Sequence, residues 1–263
     1  MTHWKKLKSF FVWHKFSYVI LSSFLLIIAI IAYVWWPLVK DYVSYYQKDI
    51  PFWYQVDWLL IMVFLVMSLL IMINADIKRD VPLVIIALAG GFLIEFWGTQ
   101  TGLWTYYTYE QPPLWIIPAW PIAFLSVNRI VEFLNYMFSW KNIRSIIIIY
   151  WILFTGFFIF LIFYTYPTVN QLLTKLVILL CAIIIIINPD KLRSILYFFA
   201  GSGLGFFLEL WGTSRGCWTY YSCENPPLFT VFAHGFATVS IWTVYVLLRK
   251  VISLYYHRVP RTP

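Results

Sequence analysis

Two glutamates stand inside apolar stretches of this chain, 114 residues apart and in nearly the same local sequence. Glu95 begins the string Glu-Phe-Trp-Gly-Thr, and Glu209 begins Glu-Leu-Trp-Gly-Thr. An ionisable side chain within a membrane is costly unless it is paired or used. Because burial disfavours the charged form of a carboxyl group, one of the two is expected to stay protonated near neutral pH and to act as an acid.

Both glutamates belong to an internal repeat. Residues 73–123 and 187–237 align without a gap, and 21 of the 51 positions are identical. Many identities fall within two blocks that follow each glutamate. One is Gly-x-Trp-Thr-Tyr-Tyr, at 102–107 and 216–221; the other is Glu-x-Pro-Pro-Leu, at 110–114 and 224–228. Residue types that both copies retain mark the places where a shared function is expected.

Aromatic residues surround the glutamates in both copies. The negative face of an aromatic ring stabilises a cation, and an acid inside an aromatic cage suits protonation of a carbon–carbon double bond in a lipid-soluble isoprenoid. Hydration or cyclisation would follow, and the residue pattern is compatible with both reactions. A plainer interpretation is that Trp and Tyr collect at membrane interfaces. The predicted substrate-binding rings are Trp97, Trp104, Tyr106, Tyr107, Trp211, Trp218, Tyr220 and Tyr221.

His234 is the predicted proton partner of Glu209. It stands where the first copy has Trp120, at a similar depth to Glu209 in the neighbouring span. The catalytic residues are therefore predicted to be Glu95, Glu209 and His234. A structural alternative is that each glutamate accepts hydrogen bonds from a Thr hydroxyl or a Trp indole of its own segment. No His-x-x-x-His or Glu-x-x-His spacing occurs, so neither a metal nor a cofactor is predicted.

The elements that must position these residues are membrane helices. With 62% hydrophobic and 11% charged residues, the composition is far from that of a water-soluble domain. Runs of about twenty apolar residues suffice to cross a ~30 Å hydrocarbon core. An all-α polytopic membrane protein with eight spans is predicted, at residues 17–38, 57–74, 81–97, 114–138, 145–166, 171–188, 194–211 and 228–248.

The distribution of Lys and Arg predicts the orientation of these spans. With the amino terminus inside, fourteen basic residues lie on the inner face, against Lys40, Lys48 and Arg215 on the outer face. Cytoplasmic loops retain positive charge, so both termini are predicted to be cytoplasmic in a multi-pass protein of the cell membrane. The basic residues are dispersed over short loops, which argues against nucleic acid as a partner. The predicted partners are membrane lipids and a lipid-soluble small molecule, and the oligomeric state is not determined.

The repeat also predicts how the chain divides. Residues 1–140 form the first membrane repeat with four spans, and residues 141–263 form the second. Four crossings separate equivalent points, so the two halves share one orientation and are parallel repeats. The first run is expected to be a retained span, since no small-residue cleavage site follows it.

Several further residues carry local expectations. Asp76 and Asp190 are expected to cap helices, and Arg129 is expected to pair with Glu132. Pro118 should kink its span, as should Pro121. Gly98 and Gly212, three residues after the glutamates, are expected to end their helices. A disulfide between Cys217 and Cys223 is neither predicted nor excluded by their spacing.

One motif resembles the signature of the integral-membrane carotenoid hydratases, which act on bacterioruberin-type end groups. It reads Glu95-x-x-Gly98-Thr99-x-Thr101-Gly102-x-x-Thr105-Tyr106-x-x-Tyr109, with prolines following at 112, 113 and 118. The Gly-x-Trp-x-Tyr element is similar to one in the membrane lycopene cyclases. Both families protonate an isoprenoid end group, so the resemblance implies a lyase or isomerase of carotenoid biosynthesis and gives Glu95 the role of the hydratase acid. Glu209 matches only through the internal repeat.

The chain departs from both families. Leu103-Trp104-Thr105 stands where the hydratases have Pro-Phe-Gly, and Pro118 is followed by Ala119-Trp120 instead of the acidic pair of the cyclases. The resemblance covers about a fifth of the chain. Two other classes of function therefore remain open, a small-molecule or ion transporter with parallel repeats and a structural membrane subunit.

Overall fold

The computed structural model describes residues 11–137 and 143–258, and it is mostly helical. The predicted boundary between the repeats, at residues 140 and 141, lies outside the described residues. Two short 3₁₀ turns occur at Phe52–Tyr54 and Tyr166–Thr168. The helices are α1 (Lys15–Val34), α2 (Trp36–Ser44), α3 (Trp58–Met72), α4 (Ile77–Thr101), α5 (Ala119–Met137), α6 (Ile143–Tyr164), α7 (Leu172–Ile187), α8 (Lys191–Ser214) and α9 (Leu228–Arg258), and the strands are β1 (Trp104–Tyr106) and β2 (Trp218–Tyr220).

The helices have the length and composition of membrane spans. Five of them, α1, α4, α6, α8 and α9, are long and apolar enough to cross a membrane. The shorter helices α3 and α7 are also apolar. The chain is therefore a membrane protein with an all-α architecture, as predicted, and its only regular exception among the described residues is the pair of three-residue strands.

The first predicted span is divided in two. Helix α1 ends at Val34, and α2 begins at Trp36 with Pro37 in its first turn. Proline lacks a backbone N–H, so it is tolerated in the first turn of a helix but interrupts the hydrogen bonds of a helix interior. The chain therefore starts a new helix at this point.

Equivalent aspartates cap the equivalent helices α4 and α8, as predicted. The Asp76 carboxylate accepts a hydrogen bond from the Arg79 backbone amide at 2.9 Å. The Asp190 carboxylate accepts from the Arg193 amide at 3.0 Å. Each cap satisfies a donor that the first turn of a helix leaves unpaired.

Two predicted helix interruptions are wrong. Helix α5 begins at Ala119, so Pro118 precedes it and Pro121 lies in its first turn, where proline is tolerated. Helix α4 does not end at Gly98 but continues to Thr101, and Gly102 then adopts a left-handed conformation with φ of 73°. Gly212 likewise lies inside α8. A left-handed residue after the last turn is the usual way to end a helix, and glycine adopts it without steric cost.

The two strands bring the repeat segments together. They pair antiparallel with Trp104 opposite Tyr220, Thr105 opposite Thr219, and Tyr106 opposite Trp218. Trp218 is the repeat equivalent of Trp104, and Tyr220 is the equivalent of Tyr106. The ladder is therefore symmetric about Thr105 and Thr219, so equivalent parts of the two halves meet at one place.

A buried charge cluster lies at the opposite ends of α4 and α5 from this ladder. Arg129 and Asp80 are both fully buried, and their side chains are 2.5 Å apart. The predicted Arg129–Glu132 pair is present only as a longer contact of 3.9 Å. Glu132 instead pairs with Arg79 at 3.0 Å. Asp80 was not predicted as the partner of Arg129, because Glu132 is the acid spaced for a pair within the same helix.

Candidate functional site

Glu95 lies near the end of α4 and is only 4% exposed. Its Oε2 accepts a hydrogen bond from the Trp104 indole at 3.0 Å. Its Oε1 accepts from the Trp120 indole at 3.1 Å, and the Tyr106 hydroxyl also contacts the carboxyl group. Residues from α4, β1 and α5 therefore converge on one buried carboxyl group.

Glu209 occupies the matching position in α8 and is 3% exposed. The Trp218 indole donates to Oε2 at 3.0 Å, and the Tyr220 hydroxyl donates to Oε1 at 2.7 Å. His234 Nε2 lies 2.8 Å from the same Oε1. The predicted pairing of His234 with Glu209 is therefore present in the structure.

Glycines inside the two helices make room for the indoles that reach the carboxyl groups. A Cβ added at Gly98 would lie 1.9 Å from Cη2 of Trp104. At Gly212 the corresponding distance to Trp218 is 2.0 Å. Each strand therefore folds its tryptophan back over the last turns of the preceding helix, and only glycine permits that approach.

Gly98→Ala is expected to destabilise the protein by about 2–3 kcal/mol, because the new methyl group would displace a packed ring that also donates to Glu95. Gly203→Ala is the matched control, since a Cβ at this helical glycine meets nothing within 4 Å. Thermal unfolding in detergent should separate the two variants. Equal midpoints would contradict the packing role given to Gly98.

The two half-sites form one cluster. The Trp120 and His234 rings are stacked, with centroids 5.4 Å apart and planes 12° apart. Across the ladder, Trp104 contacts Tyr220 at a centroid distance of 5.9 Å, and Tyr106 contacts Trp218 at 5.8 Å. The space between the two carboxyl groups is thus occupied by rings.

Two cavities lie near this cluster. A small pocket of about 10 Å³ borders Trp120 and His234, which is room for about one water molecule. A larger groove of about 280 Å³ lies between α1, α4 and α5 and includes Leu88 and Pro121. Neither cavity is lined by Glu95 or Glu209.

The hydrogen-bond partners of the two carboxyl groups differ in whether they can lose or gain a proton. An indole N–H can only donate, so Trp104 and Trp120 each use a lone pair of a Glu95 oxygen, which a carboxyl group offers in its protonated as well as its ionised form. Burial and the charge of Glu95 raise the pKa of the Tyr106 phenol well above its ordinary value. Burial and Glu209 do the same to the pKa of Tyr220. Both phenols therefore stay neutral donors near neutral pH, and His234 Nε2 can either donate to or accept from Glu209, depending on its tautomer.

Four of the eight predicted substrate-binding rings contact the carboxyl groups, namely Trp104, Tyr106, Trp218 and Tyr220. The other four bind neighbouring elements. Trp97 donates to Thr174, Trp211 donates to Asp57, Tyr107 donates to the Val34 carbonyl, and Tyr221 donates to the Tyr164 carbonyl. Their polar atoms are used by the protein, so these four act as anchors between helices in the structure.

The predicted structural alternative is present in part. Each glutamate accepts from the indole of its own segment, but the threonines donate to main-chain atoms instead. Thr99 Oγ1 donates to the Glu95 carbonyl at 2.6 Å, and Thr213 Oγ1 donates to the Glu209 carbonyl at 2.6 Å. Sequence reasoning missed Trp120 as a site residue. Trp120 aligns with His234 in the repeat. Because His234 was predicted to pair with Glu209, its equivalent Trp120 could have been predicted to lie beside Glu95.

The cysteines and possible metal ligands add little to the site. Cys217 and Cys223 are free, and burial raises the pKa of the Cys217 thiol to about 12. A thiol with such a pKa stays protonated and unreactive near neutral pH. Among the described residues, no group of three or more His, Cys, Asp or Glu side chains could hold a metal ion.

Comparison with known proteins finds no match for this chain among protein family models, curated proteins or solved structures.

Proposed function

We propose that the chain crosses the cell membrane eight times as two parallel four-helix halves, with both termini in the cytoplasm. Each predicted apolar run has a helix at its position, although α3 and α7, with 15 and 16 residues, are short for a full crossing. The symmetric ladder between β1 and β2 supports the parallel relation of the halves. The excess of Lys and Arg on one face supports the orientation.

This protein is proposed to be an enzyme that protonates a carbon–carbon double bond of a lipid-soluble isoprenoid of the carotenoid kind. The observation that carries the proposal is the single buried cluster in which Glu95, Glu209 and His234 meet through the stacked Trp120–His234 pair. Two carboxyl groups and an imidazole inside apolar spans are costly to bury, and use in proton transfer accounts for them. The motif resemblance around Glu95 supports the substrate class.

The reaction uses a carboxyl proton. The π electrons of the double bond form a new C–H bond with that proton, which leaves a carboxylate and a tertiary carbocation. Hydration follows if water adds to the cation and its second proton returns to the carboxylate. Cyclisation follows if an internal alkene attacks and the resulting cation loses a proton to the carboxylate. Both routes regenerate the acid.

The residues of the cluster have distinct roles in this scheme. Glu95 and Glu209 are the two carboxyl acids, and His234, hydrogen-bonded to Glu209, can hold a proton beside it between turnovers. The rings of Trp104, Tyr106 and Trp120 stabilise the cation through their negative faces, at ~0.5–2 kcal/mol each when desolvated. Because rings fill the space between the carboxyl groups, Trp120 or His234 must move when an end group enters.

Expression in a host that accumulates a linear carotenoid tests the proposal. Hydration is expected to add the mass of one water per end group, whereas cyclisation shifts chromatographic retention at unchanged mass. Pigment analysis by liquid chromatography and mass spectrometry reads both outcomes. Unchanged pigment in membranes that contain the folded protein would reject this substrate, and a transporter or a structural subunit would then fit better.

A further inference from the structure

The two halves differ in the space beside their glutamates. In the first half, a groove of about 280 Å³ lies between α1, α4 and α5, and its wall is apolar apart from Asp80 and Ser23. Val84, Leu88 and Ile122 contribute to that wall. The groove opens toward lipid, since Ile85 at its edge is 60% exposed. Its volume is slightly below the ~300 Å³ at which small-molecule sites begin, so it suits part of a long chain.

The equivalent region of the second half is filled with phenylalanine rings. Val84, Pro118 and Ile122 of the groove correspond to Phe198, Phe232 and Phe236. These rings pack against phenylalanines of α6. The centroid distances are 5.4 Å for Phe154–Phe198, 4.5 Å for Phe157–Phe236 and 6.3 Å for Phe160–Phe232. Aromatic rings at these distances form a packed core, so no matching groove is expected there.

One face of α4 connects the groove to Glu95. Leu88, Gly91 and Glu95 are spaced three and four residues apart, which places them on the same face of the helix. Leu88 lines the groove, and the Trp120 ring packs directly on Gly91, where an added Cβ would lie 2.4 Å from it. The Trp120 indole donates to Glu95. Trp120 therefore separates the groove from the carboxyl group, over a rise of about 10 Å along the helix.

We propose that only the first half binds substrate, with the hydrocarbon chain of the isoprenoid in this groove and its end group directed past Trp120 toward Glu95. The inference rests on the proposed function and adds to it that Glu95 is the acid that meets the substrate. Glu209 and His234, whose side of the cluster is closed by phenylalanines, then act as the proton store behind the Trp120 ring. An apolar, lipid-open groove that ends near an acid suits a long alkene better than a polar solute.

Photo-crosslinking tests the groove without any need for turnover. The probe is a diazirine-bearing C20 prenol added to the full-length protein in lipid nanodiscs, with crosslinks mapped by mass spectrometry. We expect crosslinks on α1, α4 and α5. Val84→Phe with Ile122→Phe, which copies the residues of the second half, should reduce them at least fivefold. Ile85→Trp at the lipid-facing edge is a second variant in case the first fails to fold.

The second half supplies the matched control. Phe198→Val with Phe236→Ile copies the groove residues in the opposite direction and should leave crosslinks on the first half unchanged. Unchanged labelling in the filled variants, or equal labelling of both halves, would overturn the proposal. So would labelling that an excess of unlabelled prenol does not reduce, because the groove would then hold only bilayer lipid.

The crosslinking experiment tests the groove, and the pigment experiment tests the reaction. Specific labelling of the first half without any change of pigment would support the groove and reject the proposed reaction. Conversely, a pigment change that persists in the filled variants would support the reaction and show that the groove is not the substrate site.

Discussion

Glu95→Gln is expected to lower product formation by at least about 100-fold, which is the scale at which a positioned general acid contributes to a reaction. Glutamine retains the shape of the side chain, but its amide cannot give up a proton at neutral pH. Glu209→Gln should lower turnover by a similar factor, because it removes the partner of His234. Product formation in membranes, normalised to the amount of folded protein, is the measurement.

Stability must be measured beside activity in these variants. The amide N–H₂ of glutamine would face an indole N–H that also needs an acceptor, and an unsatisfied buried donor costs about 1–3 kcal/mol. Glu224→Gln is the matched control, since Glu224 belongs to the repeat but is exposed. It should retain full activity. Full activity in both Glu95→Gln and Glu209→Gln would return the two glutamates to a structural role.

Asp80→Ser is expected to destabilise the protein by roughly 3–5 kcal/mol, because it removes the close partner of a fully buried arginine. Arg129 Nε has no hydrogen-bond partner among the described residues, so the guanidinium already depends on Asp80. Its remaining acidic neighbour, Glu132, is 3.9 Å away. Denaturant-induced or thermal unfolding in detergent measures the loss.

The repeat provides a compensating variant. Ser194 and Thr243 occupy the positions of Asp80 and Arg129 in the second half. Asp80→Ser combined with Arg129→Thr should therefore be more stable than Asp80→Ser alone, since no charge is then left buried without its partner. A double variant less stable than Asp80→Ser would show that the charges stabilise the fold in another way.

Local features were predictable because they depend on neighbours along the chain. The apolar runs located the helices, and the Asn-x-Asp pattern located the caps at Asp76 and Asp190. The depth of His234 within its span was enough to place it beside Glu209. In each case the deciding interaction lies within one helix or between two that are adjacent in sequence.

Other features depend on how distant segments pack. The pairing of β1 with β2 joins the two halves of the chain. The contacts of Trp120 with Glu95 and of Arg129 with Asp80 join adjacent helices, but packing selected these side chains among several possible partners on each helix. The continuation of α4 past Gly98 is also decided in three dimensions, since that glycine serves the packing of Trp104 and not the end of the helix.

The amino-acid sequence by itself determined that the protein lies in a membrane, that it is helical, that it contains a repeat and that two acids are buried in it. Apolar content and helical spacing decide these features, and both are properties of short segments. Only the tertiary structure decided that rings fill the space between the acids, and that the first half contains a groove whose place in the second half is taken by phenylalanine rings. The physical reason is that cavities and ring contacts depend on the volumes of side chains brought together from α1, α4, α5 and α6, and no segment alone contains that information.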